Sequence, residues 1–224
     1  SGASLDLGAK LAAKTPKSDK PKGEPPPGPA WTLDARFDRV LLANDQVATG
    51  LVAQAENDGR IMRRLHAEGR VAADAPFQLD IAPEGNGRRL AATAADAGAL
   101  LGGLDVLRSM AGGTMALRGN YDDRTSAHLL TGTAEIDGFR IHGLPALGKL
   151  LQAMTLYGLV DVLPGPGIGF TKMIAPFKYG EDVLTLNDAR AFSASIGLTA
   201  KGRVDIAANQ VDMEGTIVPA YFFN

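Results

Sequence analysis

Hydrophobic and polar side chains alternate with a period of two along most of this chain, which is typical of β-strands with one buried face. From Trp31, four apolar positions (Trp31, Leu33, Ala35 and Phe37) alternate with polar ones. The alternation runs longest in Ile196–Ile206 and Val211–Ile217, beyond the usual strand of about five or six residues. This pattern predicts a mainly β (α+β) protein whose long, curved antiparallel sheet forms a groove with an apolar face.

Turn sequences separate the alternating segments. Asn57-Asp58-Gly59 provides residues that tolerate a positive φ between two strands, and Glu84–Gly87 and Asn209-Gln210 follow other strands in the same way. Because the apolar segments are close together in sequence, we expect successive hairpins in a meander.

Two helices interrupt the strand pattern. The first is predicted at about 96–109, with Asp96 as its N-cap and apolar residues at helical spacing after it. The second is predicted at about 144–163 and is apolar over most of its circumference. Such a helix must be covered by a sheet, a partner or lipid: it either closes the core of the domain or caps the end of the apolar sheet face.

The chain divides into two parts by composition. Residues 1–29 are interpreted as a cloning remnant followed by a flexible linker, because Lys14–Pro29 is rich in proline and charge and has no large apolar side chain. Residues 30–224 are predicted to form a single β-groove domain, which we interpret as a fragment of a longer protein.

Composition and charge exclude several classes of function. The formal net charge of -2 gives no overall field that would attract nucleic acid. The absence of cysteine excludes disulfide scaffolds, thiol nucleophiles and cysteine-bound zinc. No apolar run reaches the length of about 20 residues that a membrane-spanning helix needs.

No catalytic motif is recognisable. His66, His128 and His142 do not have metal-ligand spacing, and no GxSxG sequence is present. The glycines of Gly165–Gly169 favour a structural turn over a phosphate-binding loop, because they follow a predicted helix and the segment contains a proline. The sequence therefore predicts a protein that is not an enzyme and has neither a metal site nor a cofactor.

A basic set on one strand has two interpretations. Arg60, Arg63, Arg64 and Arg70 are interleaved with acidic residues, which favours a solvated strand face. Contact with anionic lipid headgroups is the functional alternative.

A long apolar sheet face that stays partly uncovered is a candidate surface for acyl chains. The candidate lipid-contacting residues share large apolar side chains on the second predicted helix or on the last strands. They are Leu150, Met154, Leu159, Phe170, Ile196, Leu198, Val204, Ile206, Val211, Met213 and Ile217.

Three segments also resemble a known family. They are DAGALLGGLDVLRSMAGGTMALRG (96–119), TGTAEIDGFRIHGLPALGKLLQAMTLYGLVDVLPGPGIGF (131–170) and GLTAKGRVDIAANQVDMEGTIVPAYFFN (197–224). Together they resemble the C-terminal region of AsmA-like proteins, nearest the YhdP-like branch, and the terminal GTIVPAY is the most specific element.

This resemblance implies a part of a long periplasmic protein that is anchored in the inner membrane through a segment outside this sequence. Members of the family are similar to bridge-like lipid transfer proteins, in which phospholipid passes through a hydrophobic β-groove toward the outer membrane. The resemblance thus implies phospholipid or another acyl-chain lipid as the partner, with no catalytic residue. The alternative hypothesis is a non-enzymatic structural or assembly scaffold for outer-membrane biogenesis that docks a membrane or envelope protein.

Overall fold

The computed structural model describes residues 2–8, 27–143, 167–194 and 196–219. In these residues the protein is mostly β, with twelve strands and one short helix. In chain order the elements are β1 (Gly2–Asp6), β2 (Trp31–Leu41), β3 (Val47–Asn57), β4 (Met62–Val71), β5 (Ala75–Glu84), β6 (Gly87–Ala94), α1 (Ala97–Gly103), β7 (Met110–Asp122), β8 (Leu129–Ile141), β9 (Ile168–Gly180), β10 (Val183–Phe192), β11 (Ile196–Asp205) and β12 (Gln210–Pro219).

The strands form one long, open, curved sheet in which spatial order equals chain order from β1 to β12. All neighbouring strands from β2 to β12 pair antiparallel. Only β1 is parallel to its neighbour, pairing with the Phe37–Leu41 half of β2. The predicted curved antiparallel sheet with an apolar groove is therefore confirmed for β2 to β12.

Strand register places the apolar side chains on one face. One cross-strand row runs from β4 to β12, and its members are Gly69, Phe77, Ala94, Met115, Ile136, Met173, Ala191, Leu198 and Ile217. Residues directly opposite each other on neighbouring strands share a face, so every side chain in this row lines the groove. We call this apolar face the groove floor.

The opposite face is polar and carries cross-strand ion pairs. Lys172 Nζ lies 2.8 Å from Glu135 Oε2 between β9 and β8, and Lys201 Nζ lies 2.8 Å from Glu214 Oε1 between β11 and β12. His66 Nδ1 lies 2.7 Å from Asp80 Oδ1 between β4 and β5. This face of the sheet therefore suits contact with water.

Glycines reverse the side-chain alternation near one end of the central strands. Gly113 has φ +87° in β7 and Gly138 has φ +65° in β8, a conformation that glycine adopts at little cost. As a result Ile136 and Phe139, three residues apart on β8, are both buried in the main core. The Phe139 ring stacks on Phe170 of β9 with centroids 5.3 Å apart.

The helix α1 packs over one end of the groove floor. Asp96 is its N-cap, as predicted, and its carboxylate accepts a hydrogen bond of 2.9 Å from the Ala99 amide. A Cβ on Gly98 would lie 2.7 Å from the Ala111 Cα, so this glycine lets the helix backbone approach β7 closely. Ala97 and Leu100 are buried in the main core as a result.

Several predicted boundaries differ from the structure. The helix predicted at about 96–109 ends at Gly103, because Leu104 is its C-cap and Asp105 has φ +59°. Gly112-Gly113 lies inside β7, which begins at Met110. Gly2–Asp6, assigned to an N-terminal remnant, forms β1 and belongs to the sheet. The helix predicted at about 144–163 lies outside the described residues.

Candidate functional site

The groove floor contains two hydrophobic clusters. The main one surrounds α1 and the central strands and includes Val40, Val71 and Ile136, whose side chains are almost completely buried. The second is centred on Leu90, Leu130 and Phe177 toward the other end of the strands. The two clusters give the groove a continuous apolar lining across its centre.

Three of the predicted lipid-contacting residues, on β9 and β11, lie in or against the main cluster. Phe170 is 4% exposed in its stack with Phe139, and Ile196 is also buried. Leu198 is half-buried and packs against the same cluster. Phe170 and Ile196 therefore belong to the packed core of the groove rather than to its accessible surface.

Four further predicted residues lie on the last hairpin and face the groove. Val204 on β11 is directly opposite Val211 on β12, and Met213 and Ile217 follow on the same face of β12. Val211 is 70% exposed and Met213 is 36% exposed, whereas Ile217 is half-buried and packs against the main cluster. Val211 and Met213 therefore form an accessible apolar surface at the β12 end of the groove floor.

One predicted residue, Ile206, does not join this surface. Ile206, predicted as part of a strand, lies in the turn after β11 and is 57% exposed. Its amide donates a hydrogen bond of 2.9 Å to the Asp182 carbonyl, which fixes the turn beside the β9–β10 turn. Leu150, Met154 and Leu159 lie outside the described residues.

Sequence reasoning missed a buried charged cluster at one end of the groove floor. Arg88 of β6 is 5% exposed, and its Nε and Nη2 donate hydrogen bonds of 2.8 and 2.9 Å to the two carboxylate oxygens of Asp123. Its Nη1 donates a third bond, of 2.7 Å, to the Met62 carbonyl. The guanidinium carbon lies 4.1 Å from the ring centroid of Tyr121. The alternation Arg88, Leu90, Ala92, Ala94 is the sequence signal that places this arginine on the apolar face.

The environment of this cluster shifts two pKa values. Hydrogen bonds from Arg88 hold the pKa of Asp123 below its ordinary value, and a further contact of 3.0 Å with His128 Nδ1 acts in the same direction. Burial raises the pKa of Tyr121. Asp123 is thus a charged, paired carboxylate, and the neighbouring Asp122 accepts hydrogen bonds from the Arg124 side chain.

The basic set on β4 and its flanking turn is largely engaged in ion pairs on exposed positions. Arg63 lies 2.5 Å from Asp58, Arg64 lies 3.4 Å from Glu56, and Arg70 lies 3.0 Å from Asp74. Backbone hydrogen bonds from Ile61 and Arg60, together with a hydrogen bond from the Arg63 side chain, lower the pKa of Asp58 to about 2. These contacts favour the interpretation of a solvated strand face over a headgroup-binding patch.

In the described parts of the chain, no group of three or more histidine or carboxylate side chains is arranged to hold a metal ion. No helix within the same residues is both long and apolar enough to cross a membrane.

Comparison with known proteins identifies no relative. No family model, no curated protein and no solved structure matches this chain. The AsmA-like resemblance therefore stays a prediction from the sequence, and the functional argument rests on the groove.

Proposed function

We propose that this protein binds phospholipid in its groove, with the acyl chains on the groove floor. The observation that carries the proposal is the row of apolar side chains that crosses the sheet from β4 to β12 in continuous register. An apolar face of this extent on an open sheet removes acyl chains from water, and burial stabilises each methylene by about 0.8 kcal/mol.

The last hairpin provides the accessible part of this surface. Val211 and Met213 expose large apolar side chains to solvent, while Asp212 and Glu214 between and beyond them face the other side of β12. Exposed apolar side chains that share a face with a packed apolar row favour an extended apolar ligand over a small polar one.

The resemblance to AsmA-like proteins supports a more specific form of the proposal. In that form, the groove is a segment of a periplasm-spanning protein that is anchored in the inner membrane and carries phospholipid toward the outer membrane. Binding is then non-enzymatic and needs no cofactor, and no residue of the groove has a catalytic role.

The test of phospholipid binding compares two substitutions on opposite faces of β12. The purified protein is incubated with phosphatidylethanolamine vesicles, separated from them, and extracted to measure bound phospholipid. We expect Met213→Asp to lower the bound amount, because it places a carboxylate on the acyl-chain surface. Thr216→Asp is the matched control, since Thr216 is exposed on the polar face of the same strand and should leave binding unchanged.

Two outcomes would contradict the proposal. One is that the unsubstituted protein takes up no phospholipid from vesicles. The other is that Met213→Asp and Thr216→Asp reduce uptake equally, which would mean that the two faces of β12 do not differ in lipid contact.

A second candidate function is docking of a partner protein at the β12 edge. Among the described residues β12 pairs only with β11, and its ten residues present one unpaired row of backbone groups to which an extended segment could be added. A photo-crosslinking side chain at Val211 separates the candidates in cells: lipid adducts support the groove proposal, and a single protein adduct supports docking.

A further inference from the structure

The two long rims of the groove differ in chemistry. We define the helix rim as the strand ends next to α1 and the turn rim as the opposite strand ends, at residues 57–62, 84–88, 121–130 and 179–184. The floor side chains at the helix rim are apolar and buried, and include Val40, Val71, Leu100 and Met110. From β2 to β9 several floor side chains at the turn rim carry polar groups, whereas beyond β9 the same rim is apolar, at Leu184, Val204 and Val211.

One register row at the turn rim contains these polar groups. Arg88 is opposite Tyr121, Tyr121 is opposite Leu130, and Leu130 is opposite Tyr179. Four strands therefore present an arginine, two tyrosines and a leucine side by side on the groove floor. The second hydrophobic cluster packs directly against this row, since Tyr121 and Tyr179 both contact it.

The polar ends of this row are fixed by contacts within the rim. The carboxylate of Asp123, 7% exposed, receives two hydrogen bonds from Arg88. The Tyr179 hydroxyl donates a hydrogen bond of 3.3 Å to Asp182 Oδ1 in the β9–β10 turn. The Tyr179 ring thus lies on the apolar floor while its hydroxyl reaches the β9–β10 turn at the rim.

Trp31 adds a third amphipathic aromatic side chain at the same rim. It begins β2 directly opposite Asn57, which is in turn opposite Met62. The Met62 carbonyl accepts a hydrogen bond from Arg88, which connects Trp31 to the Arg88 cluster. Trp31 is 43% exposed and lies on the floor side of β2, two residues from Leu33, which is opposite Ala55. Tryptophan, tyrosine and arginine, each with an apolar body and a polar tip, are the side chains that occupy the boundary between hydrocarbon and headgroups in membranes.

We propose that bound phospholipid lies across the groove in one orientation, with its glycerol and headgroup at the turn rim and its acyl chains directed toward the helix rim. This inference rests on the proposed binding of phospholipid and adds its direction. The groove is wide enough, because the thirteen residues of β7 extend over about 40 Å at about 3.3 Å per residue. One layer of acyl chains is only about 15 Å deep, half of the hydrocarbon core of about 30 Å.

The sole tryptophan of the chain provides the test, because Trp31 lies at the turn rim. The full chain is loaded with phospholipid brominated either close to the ester carbonyls or close to the terminal methyl groups, and bound lipid is measured by extraction. Bromine quenches tryptophan emission only at short range. We expect the carbonyl-proximal bromines to quench Trp31 more strongly than the methyl-proximal ones.

A variant with its tryptophan at the other rim serves as the matched control. Trp31→Phe combined with Leu107→Trp moves the probe to a position that packs against the main core beside α1. The order of quenching should then be reversed. Trp31→Phe combined with Leu104→Trp, at an exposed position at the end of α1, replaces it if the first variant does not fold.

The outcomes separate the two proposals. If lipid is extracted from the protein but the two brominated lipids quench Trp31 equally or in reverse order, the orientation is wrong and binding stands. If neither lipid quenches Trp31, the measurement is repeated on Trp31→Phe/Tyr179→Trp, whose probe lies in the register row that leads to Val211. Equal, reversed or absent quenching there also means that the orientation is wrong. If no phospholipid is extracted, the proposed function is wrong, and the orientation is wrong with it.

Discussion

The centre of the sheet and its final hairpin carry the same side-chain alternation but differ in exposure. Ile136 on β8 is 2% exposed, whereas Met213 on β12 is 36% exposed, although one apolar face contains both. Strands on both sides and α1 at one end surround the central side chains, while β12 pairs only with β11 in the described structure. The alternation therefore determines which face a residue joins, and the position of its strand in the sheet determines how deeply it is buried.

Two ion pairs of similar length show the same difference. The Arg88–Asp123 pair measures 2.8 Å with side chains 5% and 7% exposed, and the Lys201–Glu214 pair measures 2.8 Å with side chains 64% and 72% exposed. A buried charge that loses its partner stays desolvated, whereas an exposed one is solvated by water. The comparison therefore predicts very unequal effects of breaking them.

The largest expected effect comes from Arg88→Met. Removing the guanidinium leaves the Asp123 carboxylate buried without its main partner, which should lower the free energy of unfolding by about 3–5 kcal/mol. Lys201→Ala is the control and should shift the urea midpoint little. The double variant Arg88→Met/Asp123→Leu should recover part of the loss; if it is as unstable as Arg88→Met alone, the unpaired carboxylate is not the cause.

A second pair of substitutions compares two apolar residues of the groove floor. Ile136→Ala should lower the free energy of unfolding by about 2–5 kcal/mol, because it leaves a cavity in the main core. Met213→Ala should change it by less than about 1 kcal/mol, because much of that side chain is already in water. If urea unfolding shows equal losses of unfolding free energy for the two variants, the central strands and the final hairpin are equally well packed.

A third pair concerns the final hairpin itself. Leu198→Asp places a carboxylate on the half-buried floor of β11, so we expect a loss of more than about 2 kcal/mol or a raised pKa of the new group. The sequence alone predicts the same damage for Ile206→Asp, but the turn position of Ile206 predicts a change within about 0.5 kcal/mol. Thermal unfolding of both variants decides whether strand alternation or observed exposure better predicts the loss of stability.

The smallest expected effect is a pH dependence from Asp123. Its pKa in the folded protein is lowered, so the unfolded chain binds a proton more readily at acid pH. The contribution of Asp123 to the stability of the folded protein is present above the ordinary aspartate pKa near 3.9. It is lost as the pH falls through the lower pKa that Asp123 has in the folded protein. We therefore expect urea unfolding of Asp123→Asn to show a smaller loss of stability between neutral and acid pH than the unsubstituted protein. If both proteins lose the same amount of stability, Asp123 does not contribute to the pH dependence of unfolding.

Much of the fold follows from local sequence. The period-two alternation predicts the strands from Trp31 onward, and Asn57-Asp58-Gly59 and Glu84–Gly87 predict two of the turns, because a positive φ and turn hydrogen bonds depend on nearby residues. Asp96 predicts the start of α1 for the same reason. Even the shared face of Leu198, Met213 and Ile217 follows from spacing alone.

The candidate site was harder to predict from the sequence. Phe170 has the sequence pattern of a lipid-facing residue but is buried under Phe139, because glycines in β7 and β8 reverse the alternation at that level of the sheet. Ile206 continues an alternating series but lies past the end of its strand. The parallel pairing of β1 with β2 joins residues distant in sequence, so no local pattern indicates it.

The sequence by itself therefore determined the class of strand, the apolar and polar faces and the turns, all of which depend on the residues within a few positions of each other. Only the tertiary structure decided which apolar residues are packed and which are accessible, because burial depends on strands that are far apart along the chain. It also decided that Arg88 and Asp123, 35 residues apart, meet at the turn rim and make it polar. That polar rim, and with it the proposed orientation of a bound phospholipid, could not be inferred before the register of β6, β7 and β8 was known.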